Sequence, residues 1–458
     1  MTPLSSLRAA VFAPAFLGFL LLLPPVLWSQ VDLNTQEGDS GPEDTAPLQA
    51  PPPVNGNAYA TGFTSETESN YLRGGLTIGG AYSNNIGGSA ASNPIAGGSF
   101  SLWPTIALDK NTSRGHYMLN YSPGFTFYPS TSALNQGSQI VAADLQYRLS
   151  PNTTVSVQES FQKTSNVFNQ PNPLSATVVS GSAPTPAQAV VPPVGNQQDN
   201  SANAQLTYQL DESSMVGAGG TFASLQFSNS GEDKSLSDSN SAAGSAFYSR
   251  RLRDKFSVGA DYQFQVFDTN QSGTQSVANT HTQTQTIFLF LSIFLKPTLS
   301  VSLSAGPQHI TTIQGPFPAV ASWSPLTLAS ISWQGGRTSL AASYARTVTA
   351  AGGLNGAYHL NSANASARWQ MARSWSAGIG GSYALYHALN PMFILANSGG
   401  HTLMGTASLE HMMGEHLRAT LGYSWVRQNY SQTMATSNFP SISRGFITIS
   451  YTFSRPLQ

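Results

Sequence analysis

The chain has 458 residues, only 9% of them charged, with 20 Lys plus Arg against 21 Asp plus Glu and no cysteine. Ordinary soluble domains carry about 25% charge, so the low figure beside 40% hydrophobic residues suits a sheet that meets lipid on one side and water on the other. The near-zero net charge gives no basic excess for nucleic acid, and the missing thiols exclude disulfides, thiol nucleophiles and Cys-ligated metals together.

In chain order, residues 1–29 read as a secretory signal peptide. Arg8 supplies the positive start, Ala9–Leu27 the apolar stretch, Pro24 and Pro25 its end, and Ser29 a small residue for cleavage nearby. Residues 30–70 are acidic and Pro-rich without apolar periodicity, which predicts a disordered periplasmic segment. From residue 71 to 458 the period is two, the alternation of a strand whose successive side chains point to opposite faces. In the last segment Ile447, Ile449, Tyr451 and Phe453 alternate with Thr448, Ser450 and Thr452. Leu299, Val301 and Leu303 alternate with Ser300, Ser302 and Ser304, and Phe256, Val258, Tyr262, Phe264 and Val266 with Ser257, Asp261, Gln263 and Gln265.

These segments are long enough for the roughly 9–11 residues that a tilted strand needs to cross a bilayer. Their number is about eighteen, with sixteen as the alternative count. Short connections such as Ser150-Pro151-Asn152, Lys296-Pro297 and Gly414-Glu415 alternate with long ones, the longest being Ser165–Asn200. An open sheet cannot satisfy its edges in hydrocarbon. The pattern therefore predicts an all-β, transmembrane antiparallel up-and-down barrel, with both termini on the short-turn side. Tyr147, Tyr208, Tyr248, Trp369, Trp375, Tyr383 and Trp425 stand where interfacial aromatic girdles belong.

Three stretches resist this pattern. Ile287–Leu295 is apolar on both faces, so Phe288, Phe290 and Phe294 either fill the interior or meet a second subunit. Glu159 falls in an apolar row, and either face of the segment near 238–251 could point outward. The Ser165–Asn200 connection is either a constriction loop folded into the lumen or a mobile extracellular loop.

The first strand, Gly74-Gly75-Leu76-Thr77-Ile78-Gly79-Gly80-Ala81-Tyr82-Ser83-Asn84-Asn85-Ile86, and the terminal Tyr451-Thr452-Phe453 resemble those of porin-type outer-membrane β-barrels of Gram-negative bacteria. More loosely, the chain is similar to β-barrel porins encoded with exopolysaccharide export machinery. The resemblance implies residence in outer-membrane lipid and recognition of the C-terminal strand by the barrel assembly machinery. Ser454–Gln458 follow Phe453, where such barrels often end on the aromatic residue itself.

No P-loop, HExxH or GxSxG stands in the chain, and His411 and His416 beside Glu410 and Glu415 lie across a tight turn that does not converge on a metal. No enzyme activity and no cofactor are implied. The charged residues expected to line the lumen are Arg73, Asp144, Arg148, Asp211, Asp261, Arg368, Glu410 and Arg418, among many Ser, Thr, Asn and Gln. Such a wall suits a passive, porin-like channel for small polar or carbohydrate-like solutes. A structural or adhesive surface barrel, or an outer-membrane component of polysaccharide export, are the alternatives, and an oligomer is compatible with each.

Overall fold

The computed structural model describes residues 70–86, 94–164, 197–227, 237–271, 279–296, 298–315, 317–350, 353–354, 356–389, 399–430 and 441–457. The expected signal peptide and the 30–70 segment up to residue 69 lie outside them, as does 165–196 of the longest connection. The strands are β1 (Tyr71–Ser83), β2 (Gly97–Asn111), β3 (Gly115–Phe127), β4 (Gln136–Ser150), β5 (Thr153–Thr164), β6 (Gln197–Asp211), β7 (Ser214–Phe227), β8 (Ser237–Arg253) and β9 (Phe256–Gln271). They continue with β10 (Thr280–Lys296), β11 (Leu299–Gln314), β12 (Val320–Gln334), β13 (Thr338–Thr349), β14 (Tyr358–Ala372), β15 (Trp375–Ala388), β16 (Gly399–Met412), β17 (Leu417–Tyr430) and β18 (Ile442–Pro456).

Each strand pairs antiparallel with its sequence neighbours, and β1 also pairs with β18, closing an 18-stranded sheet. Closure removes both edges, which hydrocarbon would otherwise leave unsatisfied. The seam runs the full length of β1, from Tyr71 opposite Pro456 to Ser83 opposite Arg444. Along it Leu76 meets Tyr451 and Ile78 meets Ile449, all four exposed on the outer face. The Phe453 ring lies over Gly74, where any Cβ would collide with it. Glycine here lets an aromatic residue cover the seam.

Exposure alternates with the pleat. On β10, Ile287 and Leu289 are 59% and 68% exposed while Phe288 and Phe290 are buried. The apolar double-faced stretch thus points one row at lipid and the other at the interior, where Phe288 and Phe290 pack with Leu326 and Leu328 of β12 and Ala345 of β13. On the unclear strand β8, Tyr248 is exposed and Phe247 buried, so its even positions face out. Glu159 does sit on the outward face, opposite Ala143 on one side and Ala202 on the other.

Outward aromatics mark two levels. On β15 Trp375 and Tyr383 are about 26 Å apart along the strand at about 3.3 Å per residue. That is about 20 Å along the barrel axis at a tilt near 40°, close to the apolar band of about 25 Å in such barrels. Several strands run on past this belt, to 17 residues in β8 and β10. β6 begins at Gln197, inside the connection expected to reach Asn200, because Gln197–Asn200 pair with Thr164–Phe161. Polar on both faces, such extensions carry no hydrophobic alternation.

Irregularities have local causes. Register slips fall at Arg148/Ser150, Gln209/Asp211, Arg251/Arg253, Phe294/Lys296 and Gln370/Ala372, each beside a short turn. Between β2 and β3 the pairing lapses from Leu102–Phe125 to Ile106–Tyr121, where Pro104 and Pro123 remove ladder donors. Trp103 fills that gap from the inner side, 2% exposed, with its ring against Gly124.

Candidate permeation path

The inner wall is built from hydroxyls and amides. Thr280, Thr282, Thr284 and Thr286 of β10 all point inward and are buried, as are Ser304 and Gln308 of β11. Neighbouring strands share hydrogen bonds along this face: Ser300 to Ser332 at 2.7 Å, Ser302 to Ser330 at 2.6 Å, Thr282 to Thr312 at 3.2 Å, and Thr77 to Ser450 at 2.9 Å. Side-chain hydroxyls that satisfy one another keep the wall polar without fixed charge.

Apolar groups interrupt this wall at the long-loop end, where the β13–β14 connection folds inward. Ser237 N–H, at the start of β8, donates to the Gly353 carbonyl at 3.2 Å. Gly356 N–H donates to Thr269 Oγ1 of β9 at 3.1 Å. Leu354, 3% exposed, packs with Leu225 and Phe227 of β7, Tyr358 and Leu360 of β14 and Tyr386 of β15. Ala350 and Ala357 join Phe267 of β9 and Ile310 of β11 in a second cluster. A connection between adjacent strands β13 and β14 can reach β7, β8 and β9 only by crossing in front of β10–β12. The segment around Gly353–Ala357 therefore lies over the inner wall and narrows the mouth. Gly353 and Gly356 hold positive φ angles of 94° and 114°, which glycine adopts without strain.

Three of the charged residues singled out by sequence come together. Glu410 of β16, its side chain 8% exposed, receives Arg418 Nε of β17 at 3.1 Å and Arg368 Nη2 of β14 at 3.7 Å on the same Oε1. Arg368 also reaches Ser376 Oγ at 3.5 Å. The cluster carries two cations and one anion. The other five stay apart. Asp144 of β4 accepts from Gln158 Nε2 at 2.8 Å. Asp261 of β9 is 5% exposed, lies opposite Phe247 and Phe288, and its Oδ1 meets no protein donor. Arg73 is half-buried on β1, opposite Ala107 and Ser454. Arg148 is exposed at the short-turn end of β4. Asp211 sits at the turn after β6, accepting from Ser213 N and Oγ at 2.7 Å each, so it shapes that turn and sits at the rim.

Further charged groups escaped the sequence reading. Asp109 of β2 pairs with His116 of β3 at 3.0 Å, and Arg444 of β18 stacks over Phe446 at 5.5 Å. Asp199 of β6 keeps a buried Oδ1 with no protein donor. The inner carboxylates Asp109, Asp144, Asp199 and Asp261 fall on β2–β9, where Arg148 of β4 also faces inward. The arginines Arg368, Arg418, Arg444 and Arg73 fall on β14–β18 and β1. Glu410 lies among these arginines, so carboxylates predominate on one arc of the wall and arginines on the other. The signal was present in the sequence: no Asp or Glu stands between Asp268 and Glu410.

Among the described residues no three His, Asp or Glu side chains gather as they would around a metal ion. His411 instead stacks on Trp375 with ring centroids 4.2 Å apart, and His416 lies 5.9 Å from the Tyr451 ring.

No family model matches the chain. No curated protein matches it. Among solved structures it is similar to the outer membrane protein OpdK from Pseudomonas aeruginosa, at 11% identity and a TM-score of 0.39 over 84% of this chain and 99% of that one. OpdO from the same organism aligns at 10% identity and 0.42 over 84% and 97%. The ferric-catecholate import receptor Fiu from E. coli K12 aligns at 8% and 0.41 over 84% and 82%. The strand pairing by itself makes the chain a closed, 18-stranded antiparallel barrel.

Proposed function

We propose that the chain is a passive channel of the bacterial outer membrane for small polar solutes. The observation that carries this reading is the closed barrel with an inner wall of hydroxyl and amide groups, on which fixed charges are few, carboxylates predominating on one arc and arginines on the other. Such a wall exchanges hydrogen bonds with hydroxylated solutes at little cost. An excess of carboxylates on one side of the lumen and of guanidiniums on the other also orients a solute that carries both charges, since each end meets its opposite. Barrels of sixteen to eighteen strands have room for an aqueous path.

The inward β13–β14 connection favours small solutes over export of a polysaccharide. Its anchoring to β7, β8 and β9 narrows the mouth that a polymer would have to thread. Swelling of liposomes containing the refolded full chain tests the reading. Small sugars and zwitterionic amino acids should enter rapidly, and oligosaccharides of increasing length progressively slower. Folded barrels that leave liposomes impermeable to all of them would refute it.

A further inference from the structure

We propose that the β13–β14 hairpin is a gate with two seats: tucked inside the barrel, as the structure holds it, and swung back into the wall, where β13 completes its ladder with β12. Both seats follow from the strand pairing and do not depend on what passes through the lumen.

The wall parts between β12 and β13. Their ladder runs from Gln334 opposite Ser339 up to Thr327 opposite Arg346 and stops there. Both strands continue. β12 goes on to Val320, still paired with β11 as far as Thr312. β13 goes on to Thr349, still paired with β14. The stretch of β12 from Leu326 to Val320 therefore has no ladder on its β13 side.

Burial shows where β13 goes. Below the parting its even positions point outward, and Tyr344 is 39% exposed. Val348 shares that parity but is 4% exposed, packed with Phe267 of β9 and Ile310 of β11. Phe267 lies opposite inward Thr282, and Ile310 opposite inward Thr284. β13 thus passes behind β12, with its outer face against the inner wall. His359 of β14 lies opposite Val348 and marks the same contact, its Nδ1 3.2 Å from Oγ of inward Ser324. The other face of the hairpin turns away from β12. There Tyr358, opposite Thr349, packs with Leu225 and Phe227 of β7.

A proline stands at the parting. Pro325 of β12 lies directly opposite Pro307 of β11. Two residues without an N–H cannot form a hydrogen-bonded pair, so each turns its nitrogen to its other neighbour. The β10–β11 ladder accordingly lapses at Pro307, between Thr286–Gln308 and Leu289–Ala305. Pro325 likewise offers β13 no donor at the next position where one is due. That weakens a ladder above Thr327 without forbidding it.

The register can carry on. Continued upward, it sets Leu326 opposite Thr347, Pro325 opposite Val348 and Ser324 opposite Thr349. Val348 then joins the outward row beside Pro325, while Thr347 and Thr349 face the lumen beside Ser324. Each side chain finds a compatible neighbour in either seat. The tucked seat is the resting one. It buries Val348, Leu354 and Tyr358, whereas the wall seat gains only a few backbone bonds, one of them denied by Pro325. A strand with two discrete arrangements is a bistable element. Swung out, the hairpin clears the mouth that it otherwise narrows.

Disulfide trapping in the refolded full chain, which has no cysteine of its own, tests the two seats. Ser324 is the common partner. In the tucked seat it meets His359, and Thr349 lies on the opposite face of the hairpin, so only S324C/H359C can close. In the wall seat Ser324 and Thr349 share the inward face and His359 points outward, so only S324C/T349C can close. Under mild oxidation S324C/H359C should cross-link fast, and S324C/T349C slowly, as the hairpin visits the wall. Adding P325V restores the missing donor and should speed the S324C/T349C cross-link about fivefold, the worth of one backbone hydrogen bond. Pro325 faces away from the lumen, so this effect cannot arise from the pore lining. In bilayers, barrels trapped through S324C/T349C should conduct in larger steps than those trapped through S324C/H359C. Failure of S324C/T349C to close, with or without P325V, in barrels where S324C/H359C closes would overturn the proposal. So would a cross-linking rate that P325V leaves unchanged. Barrels that trap in both seats and yet pass no current would refute the channel and leave the gate standing.

Discussion

Ser237 N–H donates to the Gly353 carbonyl at 3.2 Å, although Ser237 begins β8 and Gly353 belongs to the connection between β13 and β14. With the Gly356–Thr269 contact this bond holds the connection across the inner wall, and Leu354 seals it against Leu225 and Phe227. Leu354→Ser removes that seal and leaves a hydroxyl among apolar side chains. The local contact should weaken by about 2–4 kcal/mol, while the strand ladder stays intact. Single-channel recordings should then show more frequent current fluctuations and a higher mean conductance, with the unfolding midpoint of the barrel nearly unmoved.

Charge selectivity should respond with a sign set by position. Glu410→Gln leaves Arg368 and Arg418 without their shared carboxylate, so the reversal potential in a salt gradient should move toward anion preference. Arg418→Gln should move it toward cations. Asp261→Asn should move it in the same direction as Glu410→Gln, and removes a buried carboxylate that has no protein donor on Oδ1. Identical reversal potentials for all three variants would mean that ions do not pass along this wall.

Gly124 tests the packing of the proline-interrupted gap. A Cβ there would collide with the Trp103 ring, and Trp103 is enclosed. Gly124→Val should cost about 1–3 kcal/mol in denaturant unfolding of the folded barrel. Gly137→Ala, which meets no atom within 4 Å, should change stability by less than about 0.5 kcal/mol.

Strand positions were legible in the sequence because lipid imposes a strict chemical split on alternate residues. Ile447, Ile449 and Tyr451 against Thr448 and Ser450 define a strand and its orientation without help from tertiary contacts. Legibility stops where the split stops. Gln197–Asn200 extend β6 beyond the belt with polar residues on both faces, so a loop was expected there. The β13–β14 connection gave a weaker sign. Ala350–Ala357 is short, uncharged and glycine-rich, and only Leu354 hints at burial. Its meaning lies in Leu225, Phe227, Leu360 and Tyr386, apolar residues on inward positions of strands distant in sequence. The Arg368–Glu410–Arg418 cluster was legible as separate inward charges, but its convergence depends on register across four strands.

Glu159 faces lipid between Ala143 and Ala202, where a carboxyl group is unfavourable. Glu159→Leu should raise the stability of the barrel in phospholipid bilayers by about 1 kcal/mol, below the roughly 2–4 kcal/mol of a lipid-facing Arg or Lys at mid-depth. A loss of stability on this substitution would indicate a polar contact on that face from another protein surface.

Planar-bilayer recording of the full chain, beside a variant in which residues 351–356 are replaced by a two-residue turn, tests the central claim most directly. A channel narrowed by the β13–β14 connection should insert with stepwise conductance, and the shortened variant should give distinctly larger steps of the same sign. Folded, inserted barrels that pass no current in either form, or pass the same current in both, would contradict it.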